Sequence, residues 1–138
     1  MGPKLNEQLC YALYSTSRAI TQAYKPLLKP LNLTYPQYVV MMALWGEEAV
    51  KISTVAEITG ITNATLSPLL KRLEANGYIE RQYIKSDERQ KLLVLTSSGK
   101  VLAKKAIKAS EAALCATGLD SKDVKKMMDL CEKIKLNL

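Results

Sequence analysis

Apolar residues recur at three-, four- and seven-residue steps between Lys4 and Lys29, the spacing of one face of an α-helix. This pattern predicts a long amphipathic first helix. Pro26 should kink that helix near its end, and Pro30 should stop it, because proline lacks the backbone donor that continues a helix. The predicted apolar stripe comprises Leu5, Leu9, Leu13, Ile20, Tyr24 and Leu27.

A second helix is predicted from a capping signal at Thr34. The Thr34 hydroxyl can accept a hydrogen bond, Pro36 suits the first turn of a helix, and the Gln37 side chain can bond back to Thr34. This is the pattern of a capping box. The helix should continue through the apolar residues 39–44 and end at Gly46.

Two further helices are predicted close together in the middle of the chain. The first should begin at Ser53 or Thr54 and end before Gly60, and the second should span about Asn63 to Asn76. A glycine between two short helices is typical of a helix-turn-helix, although other helical hairpins share it. The inward face of the second helix should comprise Leu66, Leu69, Leu70 and Leu73.

After Gly77 the pattern changes to that of a β-hairpin. Residues 78–84 are rich in aromatic and β-branched types, residues 85–90 are polar, and residues 91–95 are apolar again, which predicts strand, loop and strand. Helical composition returns over 96–116 and 121–138. The sequence therefore predicts one mainly α-helical domain with a small β-hairpin, in the order of a winged helix-turn-helix. The last helix carries an apolar stripe of Val124, Met127, Met128, Cys131, Ile134 and Leu138.

Charge favours nucleic acid as the partner. The 138-residue chain has a net charge of +7, and nine basic against four acidic residues fall between Lys71 and Lys105. This stretch contains the predicted hairpin and the end of the helix before it, so charge and motif coincide. A basic surface that is merely solvated remains the plainer alternative.

Several function classes are disfavoured by what the chain lacks. The sequence has no histidine, the commonest general base and transition-metal ligand, and its three cysteines show no zinc spacing. We therefore expect no enzyme, no metal and no cofactor. The sequence also lacks a run long enough to span a bilayer and the apolar core of a signal peptide, so we expect no membrane partner and a cytoplasmic location.

The second helix of the helix-turn-helix is predicted to read bases in the major groove of double-stranded DNA. Asn63 is a candidate for adenine, and Thr65 and Ser67 for base edges or phosphates. Lys71 and Arg72 lie further along and are predicted to neutralise phosphates. A solvated polar helix face is the alternative.

The hairpin is predicted to act as a basic wing around Lys85 to Lys91. Arg89 is the candidate for a minor-groove contact, because a narrow groove concentrates negative potential. Asp87 is expected to orient that guanidinium through a bidentate bond, and Lys85 and Lys91 complete the basic set. A purely solvated hairpin has the same composition.

The sequence resembles the MarR family of bacterial transcription regulators over essentially its whole length. The matching features are LLKRLEANGYI at 69–79 and DER at 87–89 followed by LTSSG at 95–99. Within that family, QLCYALY at 8–14, AYKPLL at 23–28 and LTYPQY at 33–38 resemble the OhrR group of organic hydroperoxide sensors. The resemblance implies a homodimer on a palindromic operator, with dimerisation helices at about 4–33 and 96–138 and a winged module at about 34–95.

The same resemblance assigns redox roles. It implies that Cys10 is the peroxide-reactive thiol, held by Tyr24 and Tyr35 with Tyr14 nearby, since phenols that donate hydrogen bonds to sulfur stabilise the thiolate. It also implies that Cys115 of the other subunit resolves the sulfenic acid as a disulfide. From the residues alone, Cys10 could equally be a buried core thiol.

The sequence therefore predicts a repressor that releases its operator when an organic hydroperoxide, its inducer, oxidises Cys10. One alternative is a MarR-type regulator that responds to a small aromatic ligand or to general thiol stress, and a more distant one is a thiol peroxidase. Cys131 fits the apolar stripe of the last helix and is predicted to be a buried core thiol.

Overall fold

A computed structural model describes the backbone of residues 1–138 and every side chain except that of Glu88. Its architecture is mainly helical with one small antiparallel sheet of order β1-β3-β2, which confirms the predicted fold class. The helices are α1 (Leu9–Leu28), α2 (Tyr35–Leu44), α3 (Ile52–Thr59), α4 (Asn63–Ala75), α5 (Ser97–Ala116) and α6 (Ser121–Asn137). The strands are β1 (Val50–Lys51), β2 (Ile79–Ile84) and β3 (Asp87–Leu95).

The first helix is shorter than predicted, while the capping signal of the second is confirmed. Helix α1 begins only at Leu9, after a 3-10 turn at Leu5–Glu7, and a second 3-10 turn at Lys29–Leu31 contains Pro30. At the start of α2, the Thr34 N–H donates to Gln37 Oε1 at 2.9 Å, and the Gln37 N–H donates to Thr34 Oγ1 at 3.4 Å. This reciprocal pair satisfies two donors that the helix itself leaves free.

The predicted start of α3 is wrong, because it overlooked a strand. Val50 and Lys51 pair with Leu93 and Leu92 of β3, and α3 begins directly afterwards at Ile52 without a side-chain cap. A two-residue strand has no periodicity of its own, so only its distant partner reveals it. The end of α3 agrees with the sequence, since Gly60 adopts a left-handed conformation with φ of 69°.

The wing has a shorter turn and a longer second strand than predicted. Strand β3 starts at Asp87, which leaves Lys85 and Ser86 as the turn, rather than a loop from 85 to 90. Tyr83 pairs with Lys91 whereas the next residue, Ile84, pairs with Asp87, so residues 88–90 form a bulge. Such a bulge bends its strand and increases the local twist.

The core lies where α2, α3, α4 and the start of α5 close over the sheet. Leu66, Leu70 and Leu73 of α4 are buried as predicted, and Leu69 is partly buried against them. Gly99 lets α5 pack against the start of β2, because a Cβ at this position would collide with the carbonyl oxygen of Tyr78. Trp45 stabilises the same contact, because its Nε1–H donates a hydrogen bond to the Gly99 carbonyl at 2.9 Å.

Substitution of Gly99 by alanine should destabilise the fold by roughly 1–3 kcal/mol, because the new Cβ would collide with the Tyr78 carbonyl oxygen, which the Thr96 N–H holds in place by a hydrogen bond of 3.1 Å. Urea unfolding followed by circular dichroism measures this loss. Gly46→Ala is the matched control, since a Cβ there meets nothing within 4 Å. Equal midpoints for the two variants would contradict the packing described at Gly99.

The two ends of the chain leave apolar surface uncovered. Leu9 and Tyr14 of α1 are 65% and 58% exposed, and Met128 of α6 is 67% exposed. In α6, all of which the structure describes, no residue is buried. The prediction that Cys131 is a buried core thiol is therefore wrong for the single chain, because α6 extends beyond the core and Cys131 is only half-buried. Among the described residues, no helix is both long and apolar enough to cross a bilayer.

Candidate nucleic-acid interface and thiol site

A groove of about 440 Å³ separates the first half of α4 from the wing. We call it the wing groove. It brings together Asn63 and Ser67 of α4 with Arg89 and Lys91 of β3, four of the residues that the sequence predicted to contact DNA. The structure adds members that the sequence did not single out: Lys51, Ser53, Arg81 and Gln90.

The wing groove is strongly cationic. Lys51, Arg81, Arg89 and Lys91 line it, and none of the lining residues that the structure describes is acidic. Four positive charges converge from three strands of one small sheet, a density that attracts a phosphate backbone.

The predicted bidentate bond between Asp87 and the Arg89 guanidinium is not what the structure contains. Asp87 Oδ1 instead accepts a hydrogen bond from the backbone N–H of Arg89 at 3.0 Å. The reason is local, because an aspartate at the exit of a tight turn readily folds back onto the N–H two residues later. Asp87 therefore shapes the wing backbone and leaves the exposed guanidinium of Arg89 free for a ligand.

The other two basic wing residues have different surroundings. The Lys91 ammonium lies 5.5 Å from the ring centroid of Tyr83, its cross-strand partner, so a cation–π contact holds it near the groove. Lys85 is exposed in the turn at the tip of the wing and does not line the groove.

Arg81 is the residue of this site that sequence analysis missed. Its Nε lies 3.2 Å from Glu74 Oε2, an ion pair that joins β2 to α4. Nε and Nη2 are both buried and make no hydrogen bond to a described residue, so the contact with Glu74 is an ion pair without hydrogen-bond geometry, beside the groove that Arg81 lines. The sequence did contain a signal for Arg81. This residue lies two positions after the buried Ile79 and therefore on the same face of the strand, where an arginine is unexpected.

Three other predicted DNA contacts lie outside the wing groove. Thr65 and Lys71 are exposed on α4, and the Thr65 hydroxyl accepts a hydrogen bond from Thr62 Oγ1 at 3.3 Å. Arg72 is also exposed but lines a second cavity, between α1, α2 and the end of α4. The roles of these three residues in DNA binding remain predictions.

Cys10 is solvent-exposed in the first turn of α1, so the buried-core alternative for this thiol is wrong in the single chain. Tyr14 lies one helical turn later and is exposed like Cys10, with the Arg18 guanidinium 5.6 Å from its ring centroid.

The predicted thiolate-supporting tyrosines form an aromatic cluster elsewhere. The ring centroids of Tyr24 and Tyr35 are 5.1 Å apart, and Tyr38 lies 5.4 Å from Tyr24. The Tyr24 hydroxyl is 3.5 Å from Ser110 Oγ of α5. Burial, and secondly the neighbouring Tyr24, raise the pKa of Tyr35, so its phenol stays neutral and able to donate at physiological pH.

These distances separate the redox residues within one chain. Cys10 and Tyr24 are fourteen residues apart on the same helix, which corresponds to about 21 Å. Cys115 lies on α5, five residues beyond Ser110, the neighbour of Tyr24. Cys10 therefore does not meet Tyr24 within one chain.

The model of the transcriptional regulator family SarA/Rot matches residues 22–106, more than half of the chain. The chain belongs to the SarA/Rot family of transcriptional regulators. Members of this MarR-like family are regulators and not enzymes, so the predicted family resemblance is confirmed and the peroxidase alternative is disfavoured.

Relatives of this SarA/Rot regulator include redox-related proteins. The chain is 40% identical over 124 residues to the organic hydroperoxide resistance transcriptional regulator of Bacillus subtilis, covering 90% of this chain and 84% of that protein. It also matches AbfR, a protein of Staphylococcus epidermidis. Reduced AbfR bound to DNA has a TM-score of 0.80 at 30% identity, over 96% of this chain and 93% of that one.

A second structure of AbfR, in its disulfide form, also matches this SarA/Rot regulator. Its TM-score is 0.69 at 30% identity, over 96% of this chain and 88% of that one. The present structure is therefore more similar to the reduced, DNA-bound form of AbfR than to the disulfide form.

Proposed function

We propose that this regulator is a DNA-binding repressor that releases its operator when an organic hydroperoxide oxidises Cys10. The observation that carries the proposal is an exposed thiol in the first turn of α1, in a chain 40% identical to an organic hydroperoxide resistance regulator. Such a repressor acts in the cytoplasm, where its DNA is.

The DNA-binding part of the proposal rests on the shape and charge of the wing groove. With α4 in the major groove, Asn63 and Ser67 face base edges, and Arg89 of the wing reaches the adjacent minor groove. The sugar-phosphate strand between those two DNA grooves then runs along the wing groove, where Lys51, Arg81 and Lys91 neutralise it. Reduced AbfR binds DNA with a similar fold.

The proposed repressor is a homodimer, because the apolar surface at both ends of the chain is uncovered in a single copy. The exposed apolar residues of α1 and α6 and the cavity of about 370 Å³ between α5 and α6 are surfaces that a second copy would cover. Two copies related by a twofold axis present two α4 helices, which suits a palindromic operator.

The dimer would also bring the Cys10 thiol of one subunit close to the tyrosines of the other. Since Tyr24 lies about 21 Å from Cys10 on the same helix, Tyr24 and Tyr35 can support the thiolate only from the partner subunit. Tyr14, one turn from Cys10 on the same helix, completes the set.

The redox step involves two electrons from the Cys10 sulfur. The thiolate attacks the terminal oxygen of the hydroperoxide, the O–O bond breaks, and the organic part leaves as an alcohol after protonation. Sulfur becomes a sulfenic acid. Cys115 of the partner subunit then attacks that sulfur as a thiolate, an S–S bond forms as the S–O bond breaks, and the oxygen leaves as hydroxide, which takes up a proton to become water. Closing this bond would move α1 relative to α5. The two α4 helices would then no longer fit their half-sites on the operator.

Operator affinity before and after oxidation tests the proposed function. The reduced protein is titrated onto DNA from its own promoter, with and without cumene hydroperoxide, and binding is followed by fluorescence anisotropy. We expect at least a tenfold loss of affinity on oxidation, and recovery after dithiothreitol. Unchanged affinity, with mass spectrometry proving that Cys10 has been oxidised, would exclude the redox switch.

A further inference from the structure

Tyr78 is the residue at which four elements of the fold meet. It lies between the end of α4 and the start of β2, and its side chain is partly buried. Its backbone N–H donates to the Leu73 carbonyl of α4 at 3.0 Å, and its own carbonyl accepts the Thr96 N–H, at the start of α5, at 3.1 Å. Its hydroxyl donates to the Leu31 carbonyl, in the 3-10 turn that follows α1, at 2.9 Å. Tyr78 therefore connects α4, β2, α5 and the end of α1.

The turn that follows α1 offers two carbonyls to the end of α4. Asn32 has a φ of 54° and is the one non-glycine residue with a left-handed backbone in the described chain, a conformation that asparagine tolerates better than most residues. The last carbonyls of a helix have no partner within it. Here the Leu31 carbonyl accepts from the Tyr78 hydroxyl, and the Asn32 carbonyl accepts from Asn76 Nδ2 at 3.3 Å. Two side-chain hydrogen bonds therefore join the end of α1 to the end of α4.

The connection to α5 is made by backbone atoms instead. Thr96 Oγ1 donates to the Gly77 carbonyl, beside the hydrogen bond from the Thr96 N–H to Tyr78. Gly99 packs directly against the Tyr78 carbonyl. None of these three contacts involves the phenol of Tyr78. Removing the hydroxyl therefore breaks a link to α1 and leaves the link to α5 intact.

The two helices that meet at Tyr78 also contain the cysteines of the proposed switch. Cys10 lies in the first turn of α1, and Cys115 lies near the end of α5. A shift of α1 relative to α5 therefore acts on the segment between α4 and β2, to which both are bonded. Leu31 also packs in the apolar core, but apolar packing has no preferred direction, whereas a hydrogen bond fixes an orientation.

We propose that the Tyr78 hydroxyl positions α4 and the wing relative to α1, and that this hydrogen bond transmits oxidation of Cys10 to the DNA-binding surface. The inference rests on the proposed redox function and names the residue through which the thiol acts on operator binding. With the bond in place, a displaced α1 moves α4 and the wing away from the operator. Without it, α4 and the wing stay with α5. Tyr78 does not line the wing groove, so it acts by positioning and not by touching DNA.

The variant Tyr78→Phe tests the proposal, because it removes the hydroxyl and keeps the ring. Fluorescence anisotropy measures operator affinity before and after cumene hydroperoxide, and mass spectrometry measures the oxidation of Cys10 and Cys115 in the same samples. On oxidation the wild type should lose about tenfold or more in affinity, and Tyr78→Phe less than about threefold at the same extent of cysteine oxidation. A merely structural role would weaken both redox states equally and leave the ratio of the two affinities unchanged.

Thr21→Val is the matched control. The Thr21 hydroxyl donates to the Arg18 carbonyl at 2.9 Å, a bond of the same kind and length that lies within α1, so this variant should keep the wild-type ratio. Asn76→Ala removes the second link through an exposed side chain and should also reduce the ratio, to between about threefold and tenfold. It keeps the proposal testable if Tyr78→Phe does not fold. Thermal unfolding verifies the fold of each variant.

The possible failures can be told apart. A wild-type ratio in Tyr78→Phe would overturn the inference and leave the redox proposal standing, as would a wild-type ratio in Asn76→Ala if only that variant folds. Slower oxidation of Cys10 in Tyr78→Phe would also overturn it, because the hydroxyl would then act on the thiol and not on α4. If the oxidised wild type keeps its full affinity, the redox proposal fails and this inference fails with it.

Discussion

The Cys10→Ser protein is expected to remain on its operator after a cumene hydroperoxide treatment that releases at least nine-tenths of the wild type, roughly a tenfold or larger difference in affinity. A serine hydroxyl is close in size to the thiol but does not form a sulfenic acid. Because Cys10 is exposed, the exchange removes the chemistry without opening a cavity in the core. Fluorescence anisotropy with a labelled operator measures the release.

The other two cysteines are the controls for this prediction. Cys131→Ser should respond to peroxide like the wild type, since this thiol has no part in the proposed switch. Cys115→Ser should lose the dimer-sized band on non-reducing gels, because the sulfenic acid then has no partner thiol. Release of Cys10→Ser by peroxide would show that another residue senses the oxidant and would remove Cys10 from the mechanism.

The Arg89→Ala protein should bind its operator about 10- to 100-fold more weakly in the reduced state, a loss of about 1–3 kcal/mol. The guanidinium is exposed at the edge of the wing groove, and its backbone N–H is already held by Asp87, so the alanine variant keeps the shape of the wing. Titrations at several salt concentrations give both the affinity and its salt dependence.

The salt dependence separates a DNA contact from general charge loss. For the wild type, the log–log slope should be roughly −5 to −9 if six to ten phosphates are neutralised. Arg89→Ala should make it shallower by about one unit. Lys126→Ala, which removes one exposed charge from α6, should leave both quantities unchanged. A flat salt response of the wild type, or equal effects of the two variants, would contradict the assignment of the wing.

Local signals were sufficient for much of the fold. The capping box at Thr34 and the left-handed Gly60 lie where the sequence predicted them, and Leu66, Leu70 and Leu73 form the buried face of α4. Each of these features depends on hydrogen bonds or side-chain spacing within about one or two helical turns. The sequence therefore contains all the information needed to predict them.

The site was less predictable, because its residues meet across long sequence separations. Lys51 and Arg81 join Arg89 in the wing groove only because β1 and β2 both pair with β3. Because of the same pairing, α3 begins earlier and the turn of the wing is shorter than the sequence predicted. Arg72 and Lys71 are adjacent in sequence, yet only Arg72 lines the second cavity, between α1, α2 and the end of α4.

By itself, then, the sequence determined which segments are helical, the capping box of α2 and the winged order of the elements. Only the tertiary structure decided which cations share a groove and that Tyr24 packs against Tyr35 and lies beside Ser110. The physical reason is the range over which the interactions act. Backbone hydrogen bonds and apolar periodicity act between near neighbours, whereas the distance between two side chains on separate elements depends on how all the elements pack. A thiol and the tyrosines proposed to support it can therefore resemble one site in the sequence and still require two subunits to meet.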